Sequence, residues 1–125
     1  MKLILFLALG GSLGAICRWS LSLWIDQLRG QSAIFPLGIF VSNFLGCFLF
    51  GLLFGLGESR GWMSEHLRML LFTGFLGSFT TFSTFSWDTM ELIRGGQIGL
   101  ACLNVALSVG VGLLAVSGGY ALGRT

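Results

Sequence analysis

Charge is scarce in this chain: 10% of its 125 residues are Asp, Glu, Lys or Arg, where a soluble domain carries about 25%. Five carboxylates and a single histidine leave little material for acid and base work, and nothing stands at the spacing of a nucleophile with its base, a triad or a metal centre. No enzyme is expected. A glycine loop with a following Lys, which would cradle phosphates, is also missing, so a nucleotide-driven pump is excluded and any transport must be passive or coupled to an ion. Cysteine is sparse and odd in number: Cys17, Cys47 and Cys102 each lie within an apolar run, where Cys behaves as a small buried hydrophobe. They are read as packing residues. Proline occurs once, at Pro36, a position that suits the first turn of a helix. The formal net charge of +2 is small, and neither a nucleic acid nor a soluble protein partner is expected.

What the chain has in abundance is apolar surface: 54% of its residues are hydrophobic and the mean hydropathy is +0.89. A spanning helix needs about 20 mainly apolar residues, and runs at about 3–25, 35–56, 67–93 and 98–122 qualify. The remainder, around 26–34, 57–66 and 94–97 with the termini, is too short for a soluble domain. The fold class expected is an all-α, multi-pass membrane protein, with residues 1–125 forming a single domain of four helices. Lys2 precedes an apolar stretch, but no small-residue cleavage site with a polar continuation follows, so a removable leader is not expected.

Orientation in a membrane follows the Lys and Arg excess of short loops. With the termini and the second loop on one side, that side holds Lys2, Arg60, Arg68 and Arg124, while the other holds Arg29 and Arg94. The difference is slight, and insertion in both directions is expected. The 20 glycines are arranged in ladders at helical spacing: Gly10 with Gly14, Gly38 with Ser42 and Gly46, Cys47 with Gly51 and Gly55, and Ala115 with Gly119 and Gly123. Small residues on one face let helix backbones approach closely. The two ladders of the second helix, rotated by about 100° from one another, predict neighbours on two sides. So many contact faces on so short a chain predict a homodimer at least.

The segment Gly74-Phe75-Leu76-Gly77-Ser78-Phe79-Thr80-Thr81-Phe82-Ser83-Thr84-Phe85-Ser86 contains six hydroxyl side chains, two glycines and four phenylalanines without a charge. Lipid alone does not select that mixture; hydroxyls at membrane depth are tolerated where they face protein or a water-filled path. Phe82 and Phe85 share a helical face, with Phe75 and Phe79 upstream, and hydroxyls interleave with the rings. Ring edges are the positive end of the aromatic quadrupole, so this surface can meet an anion without the tight grip that would stop conduction. A core or lipid-facing stripe is the competing reading. Gly77 to Thr81 combines poor helix formers with hydroxyls that compete for backbone, which predicts a break in the third helix. Freed carbonyls there are hard oxygen ligands for an alkali cation where two copies meet; a simple kink satisfied by neighbouring helices is the alternative.

Asn43 is the strongly polar residue of the second helix. It reads either as interhelical glue or as a donor aimed at a permeating anion. Arg18 interrupts the first helix within snorkelling reach of the interface, where it either pairs or gathers anions at a pore mouth. Asp88, Glu91 and Arg94 read as ion pairing near the interface, and His66 has no partner at metal spacing.

At these residues the chain resembles the Fluc (CrcB) family of small fluoride channels. The pieces that carry the resemblance are residues 10–19 (GGSLGAICRW), 38–46 (GIFVSNFLG) and 74–86 (GFLGSFTTFSTFS). The resemblance implies an antiparallel, dual-topology homodimer with two fluoride pores in a bacterial inner membrane, passively exporting cytoplasmic fluoride and so reducing its toxicity. By the same resemblance Phe82 and Phe85 form an aromatic box, Asn43 is a pore donor, and Ser83, Thr84 and Ser108 belong to a polar track. Arg18 lies near the vestibule, and the carbonyls of Gly77 and Thr80 from both subunits hold a structural sodium ion. The chain departs from the family pattern at Ile39, where Thr is usual, at Ser78 in place of Gly, and at Asp88 in place of Glu. Two other readings stand beside this one. A small proton-coupled multidrug exchanger of four-helix, dual-topology type would need a midplane carboxylate, and the first helix offers only Asp26 at its end. A non-transporting scaffold would leave the hydroxyl and phenylalanine segment idle.

Overall fold

Apolar runs of this length satisfy their backbone groups internally by forming helices, and the computed structural model of the chain is helical throughout its long elements. It describes residues 1–30 and 34–125. The first two helices, α1 (Lys2–Arg29) and α2 (Leu37–Arg60), are continuous, as is the last, α6 (Ile98–Gly123). Between α2 and α6 the third leg of the molecule is built in pieces: α3 (Glu65–Arg68), a π-helical stretch (Met69–Leu76), α4 (Gly77–Phe79) and α5 (Phe82–Arg94). The three continuous helices contain windows of mean hydropathy 1.6, 2.1 and 2.1, and by length and composition each can cross a membrane.

Helix ends fall later than hydropathy places them. Asp26 and Gln27 continue α1 to Gly30, whose φ of 74° stops it, and residues 31–33 of the expected first loop lie outside the described residues. Likewise α2 persists through Glu58, Ser59 and Arg60 until Gly61, at φ 61° and ψ 20°, returns its N–H to the Gly57 carbonyl. Such a left-handed cap ends a helix by backbone geometry, to which a hydropathy profile is blind. Ser64 starts the third leg by accepting the Leu67 N–H at 3.3 Å.

Packing follows the small residues. The most extensive contacts join α2 to α6 and α1 to the π-helical stretch. A Cβ at Gly14 would collide with the Phe75 carbonyl, and one at Gly119 with the Phe48 carbonyl, so both pairings depend on bare backbone. The two ladders of α2 meet different neighbours: Gly38 lies against Ser22 of α1, while Gly51 lies against Val116 of α6. Side chains fasten the far end of the α2 and α6 pair, where the Tyr120 hydroxyl donates to Glu58 Oε2 at 2.6 Å and Ser59 Oγ to the Gly123 carbonyl at 3.0 Å. Buried apolar residues such as Leu76, Phe79, Leu92 and Ala115 are few, and large apolar side chains of α1 and α6 such as Leu13, Trp19, Leu113 and Leu114 point outward. An apolar exterior over a thin core suits lipid as the surrounding solvent.

Candidate functional site

Helical dihedrals end at Phe79 and resume at Phe82. Thr80 (φ −88°, ψ 152°) and Thr81 (φ −149°, ψ 119°) between them are extended, and their hydroxyls explain how the chain tolerates that. Thr80 Oγ1 donates back to the Leu76 carbonyl at 2.9 Å, closing α4, while Thr81 Oγ1 accepts the Thr84 N–H at 3.3 Å and donates to Thr84 Oγ1 at 3.0 Å, opening α5. Ser83 Oγ lies 3.4 Å from the same Thr81 oxygen. A Thr at the N-cap satisfies one of the donors that the first turn leaves open, so Thr81, Ser83 and Thr84 are one hydroxyl cluster at a helix start.

Asn43 of α2 completes the linker. Its Oδ1 accepts the Thr81 N–H at 2.8 Å and its Nδ2 donates to the Thr81 carbonyl at 3.2 Å, so the amide supplies Thr81 with the pairing a strand neighbour would give. One Nδ2 hydrogen remains. Gly46, one turn along α2, makes room for Thr80, whose Cγ2 would collide with a Cβ there. On the opposite flank Arg18 of α1 donates Nε to the Ser78 carbonyl at 3.1 Å. No hydrogen bond among the described residues ends on the carbonyl oxygens of Gly77 or Thr80.

These elements enclose a groove of about 420 Å³, open along one side. Asn43 and Phe50 of α2, Thr80 and Thr81 of the linker, Phe82 and Phe85 of α5, and Ser108 of α6 contribute to its wall, and no lining residue is charged. Phe82 and Phe85 are tilted by 45° with ring centroids 5.6 Å apart, and Phe82 is 80% exposed in the single chain. Of the residues singled out in the sequence, Asn43, Phe82, Phe85, Ser108 and Thr80 thus meet at one groove. Ser83 and Thr84 adjoin it through Thr81, whereas Gly77 and Arg18 are not among its lining residues, and Arg18 reaches the Ser78 carbonyl from α1. Phe75 and Phe79 do not continue the ring pair: they stack on each other at 5.7 Å, with Phe79 buried. Glu91 pairs with Arg94 at 2.9 Å, and the His66 ring rests edge-on against Phe6 at 5.2 Å.

Sequence reasoning passed over Asn104. Its side chain is 2% exposed; Nδ2 donates to Thr89 Oγ1 at 2.9 Å, and Oδ1 accepts from Ser108 Oγ at 3.4 Å. The signal was available, since Asn104 is a strongly polar amide in an apolar helix, the feature that singles out Asn43 in the second.

Comparison with known proteins places this geometry in context. A family profile described as CrcB-like protein, Camphor Resistance (CrcB), matches residues 5–120. A protein of Maridesulfovibrio salexigens named fluoride-specific ion channel FluC is 40% identical over 124 residues, covering 99% of this chain and 97% of its own. One of Symbiobacterium thermophilum, fluoride-specific ion channel FluC 1, is 45% identical over 117 residues and 94% of each chain. A FluC of Flavobacterium psychrophilum is 40% identical over 124 residues, 99% of this chain and 98% of that one.

Proposed function

Because the chain belongs to the CrcB-like family, we propose that it is a fluoride-selective channel that exports cytoplasmic fluoride passively and so limits fluoride toxicity. It is a multi-pass membrane protein and not an enzyme. The observation that supports the channel reading most is the groove wall, where two phenylalanine rings, hydroxyls and an amide meet without a fixed charge. Ring edges carry the positive end of the quadrupole, and Ser and Thr hydroxyls can replace part of a small anion's hydration shell. Each contact is weak, as conduction requires. Phe82 and Phe85 serve as the box, Asn43 and Ser108 as pore groups, and Ser83 and Thr84 as the polar track that continues past them. The Asn43 amide holds Thr81 with one hydrogen and keeps a second for the anion. Arg18, through the Ser78 carbonyl, fixes the linker beside the vestibule.

No fuel is required. Hydrogen fluoride crosses membranes uncharged and ionises in a more alkaline cytoplasm, and an interior-negative potential drives the anion outward by about 2.3 kcal/mol per 100 mV.

The site is completed by a second copy. The groove is open, Phe82 is mostly uncovered, and a Cβ at Gly110 or Gly118 of α6 would meet nothing within 4 Å. A small-residue face left bare in a membrane helix is a packing surface, and the slight difference in Lys and Arg between the two sides favours an antiparallel partner in a bacterial inner membrane. The third span is interrupted within the membrane at Thr80 and Thr81. The carbonyls of Gly77 and Thr80, neutral, hard and without a hydrogen bond among the described residues, fit an alkali cation. Sodium bound by such oxygens from both copies would act as a structural clamp.

Purified protein in fluoride-loaded liposomes tests the reading. Rapid fluoride efflux when a cation ionophore relieves the diffusion potential is expected; efflux that appears only against a proton gradient would instead indicate a proton-coupled exchanger.

A further inference from the structure

Four polar groups form a directed chain behind the groove wall. Thr89 Oγ1 donates to the Phe85 carbonyl at 2.8 Å, so its hydrogen is committed and it can only accept from Asn104 Nδ2, which reaches it at 2.9 Å. That bond orients the amide and turns Oδ1 towards Ser108, whose Oγ donates to it at 3.4 Å. The hydrogen of each member is thereby fixed by the next, ending at the backbone of the residue that carries one of the two groove rings. Asn104 is 2% exposed and is not part of the groove wall, whereas Ser108 is.

We propose that Asn104 is a positioning residue for the Ser108 hydroxyl, setting the direction of its hydrogen and so deciding what the groove offers a fluoride ion. The proposal rests on the channel reading. With its hydrogen turned to Asn104, Ser108 presents lone pairs to the groove, which repel an anion; with the hydrogen swung outward, it presents a donor. A separation of 3.4 Å is long for an O–H···O bond, whose usual range is about 2.5–3.0 Å. The resting bond is therefore easily broken by a stronger acceptor, and fluoride is one. After release, the Asn104 oxygen remains in place to reclaim the hydrogen when the ion departs, so the hydroxyl alternates between two partners without leaving the helix. Thr89 is what keeps the amide from flipping. Were Nδ2 to face Ser108, the hydroxyl would be held as an acceptor with its hydrogen already free, and the grip on the anion would strengthen at the expense of release.

A double-mutant cycle in liposome efflux tests this. Asn104→Leu removes both amide contacts, and Thr89→Val removes only the anchor; each is expected to change the fluoride efflux rate by about tenfold, the size of one hydrogen bond. Because both act through one hydroxyl, neither should change the rate further in a Ser108→Ala background, whereas independent effects would multiply. Size-exclusion profiles and melting temperatures should not show that coupling, which separates positioning from a purely structural role. Multiplying effects on rate in both cycles, wild-type rates in both single variants, or a silent Ser108→Ala in a conducting protein would each overturn the proposal. A wild-type protein that fails to conduct fluoride would overturn the channel reading itself, together with this inference.

Discussion

Phe82 and Phe85 occupy different surroundings although they share one face of α5. Phe82 is 80% exposed in the single chain, while Phe85 is half-buried, and both rings border the groove. Neither ring is a large part of the core, so replacing either should leave the fold intact while removing a ring edge from the path. Phe82→Ile and Phe85→Ile are each expected to lower fluoride efflux by about tenfold or more, a loss of one ring contact at about 1.4 kcal/mol per factor of ten, with the oligomeric state unchanged on size exclusion. Wild-type rates in both would remove the rings from the mechanism. The residue scale is also where the sequence was least complete. The hydroxyl and phenylalanine segment was visible because its composition is improbable in lipid, but the partners of its members were not. That Asn43 pairs with Thr81, that Arg18 reaches the Ser78 carbonyl, and that Asn104 reaches Thr89 all depend on contacts between separate elements. Composition and spacing do not specify such contacts.

At the scale of elements, helix count and approximate position were legible from hydropathy, and the small-residue ladders of α2 identified two neighbours because helical periodicity maps directly onto faces. The hydrogen-bond register of the third leg was not legible. Met69 to Leu76 adopts π geometry, a rare form often found at functional sites, and Leu, Phe and Gly carry no mark that distinguishes it from an α-helix. Its location has a packing context, since α1 lies along it with Gly14 against the Phe75 carbonyl. A side chain at Gly14 would drive the two elements apart and displace the carbonyls just ahead of Gly77. Gly14→Val is expected to lower stability by about 1–3 kcal/mol, the usual range for overpacking, and to reduce efflux with it. Thermal unfolding in detergent measures the first effect. An unchanged melting temperature would mean that the α1 contact is looser than its backbone separation indicates.

The whole molecule is set by two balances, one of packing and one of charge. Packing leaves the α5 and α6 side of the groove open, with Gly110 and Gly118 uncovered and Phe82 exposed, so a single copy leaves the proposed path without one wall. The proposed insertion in both directions rests on charge, because a four-span path sets Lys2, Arg60, Arg68 and Arg124 against Arg29 and Arg94, with Arg18 within α1, a slight difference. Added positive charge in short loops biases the direction of insertion, and this makes the antiparallel arrangement testable without a structure of the dimer. Lysines placed at Ser64 and Thr125 should commit the chain to one orientation, and lysines placed at Gly95 and Gln97 to the other. Each biased variant alone is expected to support little fluoride efflux from cells, because copies facing the same way cannot close the groove against one another. Co-expression of the two should restore efflux towards the wild-type rate, since opposed copies again become available. Full efflux from one biased variant, with its termini accessible from a single face of the membrane, would show that the groove is completed by a parallel partner or by lipid.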